Sequence, residues 1–396
     1  MQYVQKEKLY MPTTTVKNFL YRIALPFLAP RIPADRPPVC AGRTLNDPDI
    51  LFSIIRRNHI SGAAVMLKDG SEESTCYSSA VHTDFVPDSN TYFRVASITK
   101  MATALIAAIL ADRGFLDTDA PLSYYLPDGS RIKEIDDILV RHLLSHTSGL
   151  SDPPDLENML LCRRPWSEAV AGRKMNKSGT VFRYSNLGFG LLGCVFEAIT
   201  DMPLEDIYQH YLFIPLGMNA TMTGASLDPL KIMPVIRILP YKPGCAVTVT
   251  KLGNKFPGGP DPSVHYGYSA GSMYTDLPSL MKMMICIRDN CRPLISSGYG
   301  EFMKKETAGY GKISPTLSYG SGMLIIRDKR ISDSSVFGHQ GFAYGCVDGA
   351  FWEDSTGRIM ISLNGGCSEA RTGRIGVANL ELCRWAFRKE MPGWKS

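Results

Sequence analysis

The sequence predicts a mixed α/β lobe with a helical lobe inserted into it. Three observations carry this expectation. Segments that read as strands occur towards both ends of the chain. The stretch between them is dominated by helical spacing. The length, 396 residues, exceeds what one simple core normally organises. Composition is that of a globular protein, 44% hydrophobic and 20% charged, which excludes a disordered or fibrous chain. The net charge of +5 is small for the length and there is no long Lys/Arg run, so nucleic acid is not an expected partner.

In chain order, residues 1–44 read as an N-terminal arm. Its apolar stretch Phe19–Ala29 holds Arg22 and Pro26 and falls short of the roughly 20 residues that span a bilayer. As an export signal it is weak, because the region before it is long and contains Glu7 and no small-x-small site follows. The arm is expected to pack on the domain in a cytoplasmic protein, with export as the other reading. The proline run Pro30–Pro38 would be extended. Asp47–Asn58 reads as a helix with Ile50, Leu51, Ile54 and Ile55 on one face. Ser61–Lys68 and Thr75–Val81 read as strands either side of a turn at Gly70.

From Ser97 the pattern changes. Ile98, Met101, Leu105, Ala108 and Ile109 recur at helical spacing and predict a buried helix to Arg113, ended by Gly114. Helical segments follow at 138–144, 167–171, 187–199 and 204–211. Pro278–Arg288 is a further helix, 320–326, 335–337, 346–352 and 358–364 read as strands, and 376–389 is the last helix. The expected division is a sheet lobe of 45–96 with 257–396 and a helical lobe of 97–256, with a site between them.

The ten cysteines are scattered, with no Cys-x-x-Cys pair, so a structural zinc site is not expected. Disulfides in an exported protein and free thiols in a reducing compartment both suit them. His142 and His146 are four apart but lack the Glu of a zinc-protease helix. Neither a metal nor a cofactor is expected.

Ser97-Ile98-Thr99-Lys100 places a hydroxyl and an ammonium three apart. On a helix such positions share a face, and a lysine desolvated there becomes a usable base. The spacing recurs at Ser130–Lys133, in a Pro-Asp-Gly turn, and at Ser279–Lys282, where the serine sits at a helix start and reads as a cap. Context selects Ser97. Phe93-Arg94-Val95-Ala96 precedes it and an apolar helix follows. Downstream come Leu143-Leu144-Ser145-His146-Thr147-Ser148-Gly149-Leu150, then Tyr184-Ser185-Asn186, then Gly338-His339-Gln340-Gly341.

In this order and at these separations the motifs resemble the class C β-lactamase family with its DD-peptidase, D-aminopeptidase and esterase relatives, over roughly residues 45 to 390. The resemblance implies a β-lactamase/transpeptidase-like fold, an antiparallel sheet flanked by helices, and a serine hydrolase that forms an acyl-enzyme on Ser97. It implies that Lys100 and Tyr184 handle the proton, with Tyr184 drawn towards phenolate by a nearby cation. Asn186 would grip a substrate amide or orient Lys100. His339 would sit at the pocket edge to bind substrate or relay a proton. Gly341 would let the substrate backbone approach. Backbone N–H groups of Ser97 and Phe342 would form the oxyanion hole. One departure matters. True class C β-lactamases carry Lys where this chain has His339, and a mostly neutral imidazole is a weaker anchor for a β-lactam carboxylate.

Two other readings stand beside this one. Gly267-Tyr268-Ser269-Ala270-Gly271 matches the nucleophile elbow of α/β-hydrolases, although that elbow needs a strand just before it and a helix straight after. A catalytically silent relative that binds peptides or penicillin is the non-enzyme alternative. The expected partner is a small-molecule or peptide substrate. His146 and Ser148 read as structural, and Asp276 as an acidic helix start.

Overall fold

The computed structural model describes residues 38–42, 46–80, 84–126, 131–238, 264–296 and 298–388, with 23–24, 27 and 242–243. The apolar stretch Phe19–Ala29 (apart from Ile23, Ala24 and Phe27), the proline run before Pro38, Ser130 and most of the 235–262 loop lie outside the described residues.

Among the described residues, nine strands form one antiparallel sheet in the order Val39–Gly42, Glu72–Tyr77, Ala64–Asp69, Ile359–Leu363, Cys346–Glu353, Val336–Ala343, Leu324–Ile326, Leu317–Tyr319, Ala308–Gly309. The early and late parts of the chain meet inside it, where Ala64–Asp69 pairs with Ile359–Leu363. Alternation along each strand sends successive side chains to opposite faces. Val65, Leu67, Phe351 and Met360 pack with Leu51, Ile54 and Trp385, so the helices Pro48–Arg57 and Val377–Phe387 cover one face. Ala64, Met66, Trp352 and Ile361 belong to the larger cluster with Met101, Leu105, Met283 and Met284. That second layer holds the helices Thr99–Asp112 and Leu277–Arg288.

Several elements follow the sequence closely. Asp47 caps the first helix, accepting from the N–H groups of Asp49 and Ile50, with Pro48 at its first position. The helix that follows Ser97 begins with a 3₁₀ turn at Ala96–Ile98, continues as Thr99–Asp112 and stops before Gly114 at φ 76°. No single helix among the described residues is long and apolar enough to cross a membrane.

Three elements differ from expectation. The end of the expected arm, Val39–Gly42, is an edge strand on Glu72–Tyr77, and the Cys40–Cys76 disulfide lies within that pair. The strand expected at 335–337 runs through Val336–Ala343. Gly338 lies inside it because a Cβ there would come 2.0 Å from Ala350 O on the paired strand. The helix expected at 204–211 is Leu204–Tyr208 followed by a π turn at Gln209–Phe213.

The helix Asn186–Thr200 runs against the short helix Tyr268–Gly271 with almost no gap. A Cβ on Gly190 would stand 2.1 Å from Gly267 N. Gly190→Ala should therefore overpack this contact and destabilise the fold by about 1–3 kcal/mol, read as a lower urea midpoint with an unchanged denaturant slope.

Candidate active site

The candidate site grows from the turn ahead of the helix Thr99–Asp112. Phe93–Arg94 is pinned to Tyr274–Thr275 as a short strand. Ala96 then adopts a left-handed conformation at φ 46°, a strain of about 1–3 kcal/mol for a residue with a side chain, and Ser97 emerges half-buried at the start of the helical region. One turn on, Lys100 is fully enclosed. Its Nζ lies 3.1 Å from Ser97 Oγ, 2.8 Å from Asn186 Oδ1 and 2.7 Å from Ala270 O. Burial pushes the ammonium down to about 7. Asp152 pulls against that fall and Arg94 adds to it.

Asn186 opens the helix Asn186–Thr200, and its geometry is fixed by Asp152. The Asp152 carboxylate accepts from Ser185 Oγ at 2.8 Å, Asn186 N at 3.0 Å, Asn186 Nδ2 at 2.9 Å and Leu187 N at 2.9 Å. These bonds satisfy helix-start N–H groups that have no partner within the helix. Because Nδ2 is held by Asp152, Oδ1 of the same amide must face Lys100.

Tyr184 lies with its ring 4.9 Å from Lys100 Nζ. Burial holds its phenol well above the usual value, and the neighbouring Ser97 hydroxyl works the other way. Tyr184 therefore rests protonated in this geometry, against the expected drift towards phenolate. Beneath it His146 stacks at 4.2 Å between ring centroids. His146 Nδ1 accepts from Ser185 N at 3.1 Å, so its hydrogen is on Nε2, and burial holds the ring neutral.

The opposite wall is the strand Val336–Ala343. His339 is buried with both ring nitrogens engaged. Nδ1 donates to Gln340 O at 2.7 Å and Nε2 accepts from Tyr319 OH at 3.0 Å. Burial, with Lys100 nearby, pushes its pKa down to about 3. It therefore carries no charge at neutral pH. The close approach at Gly341 is made by the chain itself, since a Cβ there would stand 2.3 Å from Val95 O. This glycine lets the strand press onto the turn at Val95 and Ala96. Phe342 lines both cavities that flank Ser97. One cavity, about 570 Å³, is bounded by Tyr184, Tyr310, His339, Arg371 and Arg374. The other, about 320 Å³, is bounded by Arg94, Leu156, Leu160, Tyr268 and Tyr344.

Ser269, the elbow candidate, is completely buried and packed on Gly193. It sits within the helix Tyr268–Gly271 rather than between a strand and a helix, so it has no access to substrate. Ser279 is not the cap of its helix. Asp276 is, and Ser279 Oγ accepts from Asn219 N at 2.8 Å. Among the described residues no cluster of His, Cys, Asp or Glu could hold a metal ion.

The sequence profile of the Beta-lactamase family matches residues 54–347, most of the chain. This protein belongs to the beta-lactamase family. It is 28% identical over 180 residues to a beta-lactamase of Providencia stuartii, covering 44% of this chain and 45% of that protein. It is 26% identical over 329 residues to the esterase EstB of Burkholderia gladioli, covering 73% and 81%. The D-amino acid amidase of Ochrobactrum anthropi SV3 superposes with a TM-score of 0.68 at 21% identity, covering 85% of this chain and 95% of that one. The chain spans only 45%, 30% and 54% of the lengths of the first three curated relatives it matches.

Three features of this beta-lactamase-family site escaped the sequence. Asp152 precedes two prolines and reads locally as a turn, and nothing in its neighbours announces that it reaches a helix start 34 residues on. Tyr319 meets His339 only through the sheet. Arg371 and Arg374 sit on the hairpin Arg371–Thr372/Ile375–Gly376, in a stretch with no strand periodicity. Gln340 secures this hairpin, donating from Nε2 to Arg374 O at 2.6 Å and accepting on Oε1 from Gly376 N at 3.1 Å.

Asp152→Asn removes the charge that holds the Lys100 pKa up and frees the Asn186 amide to turn. Losing charged hydrogen bonds of about 1.5–3 kcal/mol should lower kcat/KM by roughly tenfold or more. The acid limb of the pH–rate profile should also move to lower pH. A drop in activity without that shift would make Asp152 a cap and nothing more.

Proposed function

We propose that this protein is a serine hydrolase that forms an acyl-enzyme on Ser97 and acts on an ester or amide. The observation that carries the reading is the enclosed Lys100 amine, 3.1 Å from Ser97 Oγ, with its proton affinity brought down to about 7. A general base works best when its pKa lies near the operating pH. In our reading the sheet lobe of 45–96 with 257–396 and the helical lobe of 97–256 meet at this cleft.

In the step we propose, neutral Lys100 takes the Ser97 proton as Oγ bonds to the substrate carbonyl carbon. The carbonyl oxygen becomes an oxyanion, received by the backbone N–H groups of Ser97 and Phe342. As the tetrahedral centre collapses, the bond to the leaving group breaks. Tyr184 gives its proton to the departing alcohol or amine, and Lys100 returns a proton to the phenol. Water then attacks the acyl-enzyme, loses a proton by the reverse path, and releases the acid and the Ser97 hydroxyl.

The wall chemistry supports a leaving group that carries a carboxylate. His339 is neutral, so it does not supply the fixed charge that a lysine would. Arg371 and Arg374 line the same cavity as Tyr184, and the charge of Glu369 reaches Arg371. Arg371 also stacks over the Phe342 ring at 3.9 Å.

The test is a screen of p-nitrophenyl esters, nitrocefin and D-Ala-D-Ala peptides on the wild type and on Ser97→Ala. Ser97→Ala should lose turnover by several orders of magnitude and lose labelling by a fluorophosphonate. Activity that survives in Ser97→Ala sinks the reading. Arg371→Ala should raise KM about tenfold, roughly 1.4 kcal/mol of binding, for substrates whose leaving group bears a carboxylate. Neutral esters should be much less affected.

A further inference from the structure

The two cavities beside Ser97 are chemically unlike, and their difference orients the substrate. Ser97, Asn186 and Phe342 line both. Tyr184, the proton donor to the leaving group in the reading above, lines only the larger one. The leaving group therefore occupies the larger cavity, and the acyl group occupies the smaller one. Leu156, Leu160 and Tyr268 give that smaller cavity an apolar wall, beside the charged Arg94 and Glu157.

Tyr344 stands at the edge of the acyl cavity in a conformation it does not favour. Ala343 and Cys346 are the last paired residues of the central hairpin, so Tyr344 and Gly345 form a two-residue turn with φ 54° and 109°. Such turns select Asn, Asp or Gly because both positions are left-handed. The hairpin itself gives no reason for a tyrosine at the first of them. What the ring touches gives one. Its hydroxyl donates to Glu157 Oε1 at 2.9 Å, and Arg94 lies over its face at 5.0 Å. Glu157 is on the helix Leu156–Leu161, which also carries Leu156 and Leu160 to the cavity wall. Leu160 is in turn wedged against Gly267, where a Cβ would stand 2.6 Å from Leu160 Cδ1. The tip of the sheet hairpin and the helix are thus tied together at the acyl cavity.

We propose that the Tyr344–Glu157 contact is a clasp that limits the length of the acyl group, making short-chain acyl esters and amides the preferred substrates. The inference rests on the acyl-enzyme reading above. At about 320 Å³ this cavity lies at the small end of ligand pockets, which run from roughly 300 to 1,000 Å³, and Tyr344 and Glu157 both line it. Strain held at a turn and offset by contacts at a site edge is a recurring feature of specificity elements.

The experiment compares p-nitrophenyl acetate, butyrate, octanoate and dodecanoate on the wild type, Tyr344→Asn and Tyr344→Phe. Asparagine accepts the left-handed turn, so Tyr344→Asn should melt no lower than the wild type, which separates selectivity from misfolding. The octanoate-to-acetate ratio of kcat/KM should rise about tenfold in Tyr344→Asn. Tyr344→Phe keeps the ring and loses the bond to Glu157, and should give a smaller rise. Parallel chain-length profiles in the wild type and a folded Tyr344→Asn would overturn the clasp. A wild type that turns over no ester of the series, with no adduct on Ser97, would instead overturn the acyl-enzyme reading beneath it.

Discussion

Everything at this site depends on an amine held out of water next to a hydroxyl. Lys100 has no exposed surface, and a buried lysine is stable only if its polar hydrogens are satisfied or its proton is given up. Three acceptors stand around Nζ, and one of them is Ser97 Oγ. When the proton is lost, the same geometry lets Ser97 donate to nitrogen. In the proposed reading, the desolvation that makes the site costly to build is also what lets the lysine serve as a base at neutral pH.

The surrounding structure keeps that amine where it is. Asp152 turns the Asn186 amide so that its oxygen, not its nitrogen, meets Lys100. His146 caps the backbone of Ser185 and stacks under Tyr184. Gly341 lets the strand Val336–Ala343 lie directly on Val95 and Ala96, which brings Phe342 alongside Ser97. The left-handed Ala96 and the left-handed Tyr344 both line the smaller cavity beside Ser97.

Much of this was legible in the sequence because it is encoded locally. The helix after Ser97 announces itself by apolar spacing and a terminating glycine, and Lys100 follows from its distance along that helix. The 346–352 and 358–364 strands are short apolar runs between turns. Ordered motifs joined Tyr184, Asn186 and His339 to Ser97, although no local rule brings them together. What stayed hidden depends on contacts across the fold. Asp152 acts on a helix 34 residues away, and His339 is neutralised by burial and by the nearby Lys100, with Tyr319 of another strand bonded to its Nε2. The role of Gly341 was read towards substrate, because a sequence does not say which backbone comes close. Tyr344 was overlooked since a turn residue is judged by its φ angle, and its partner Glu157 lies on another element 187 positions away.

The most direct test is to titrate Lys100 itself. With lysine side chains labelled with carbon-13 at Cε and Lys100→Arg used to assign its signal, the resonance should titrate with a midpoint near 7 in the wild type. A midpoint near 10, the value of a lysine in water, would contradict the account, because the amine would then be a fixed cation at neutral pH and could not take the proton from Ser97.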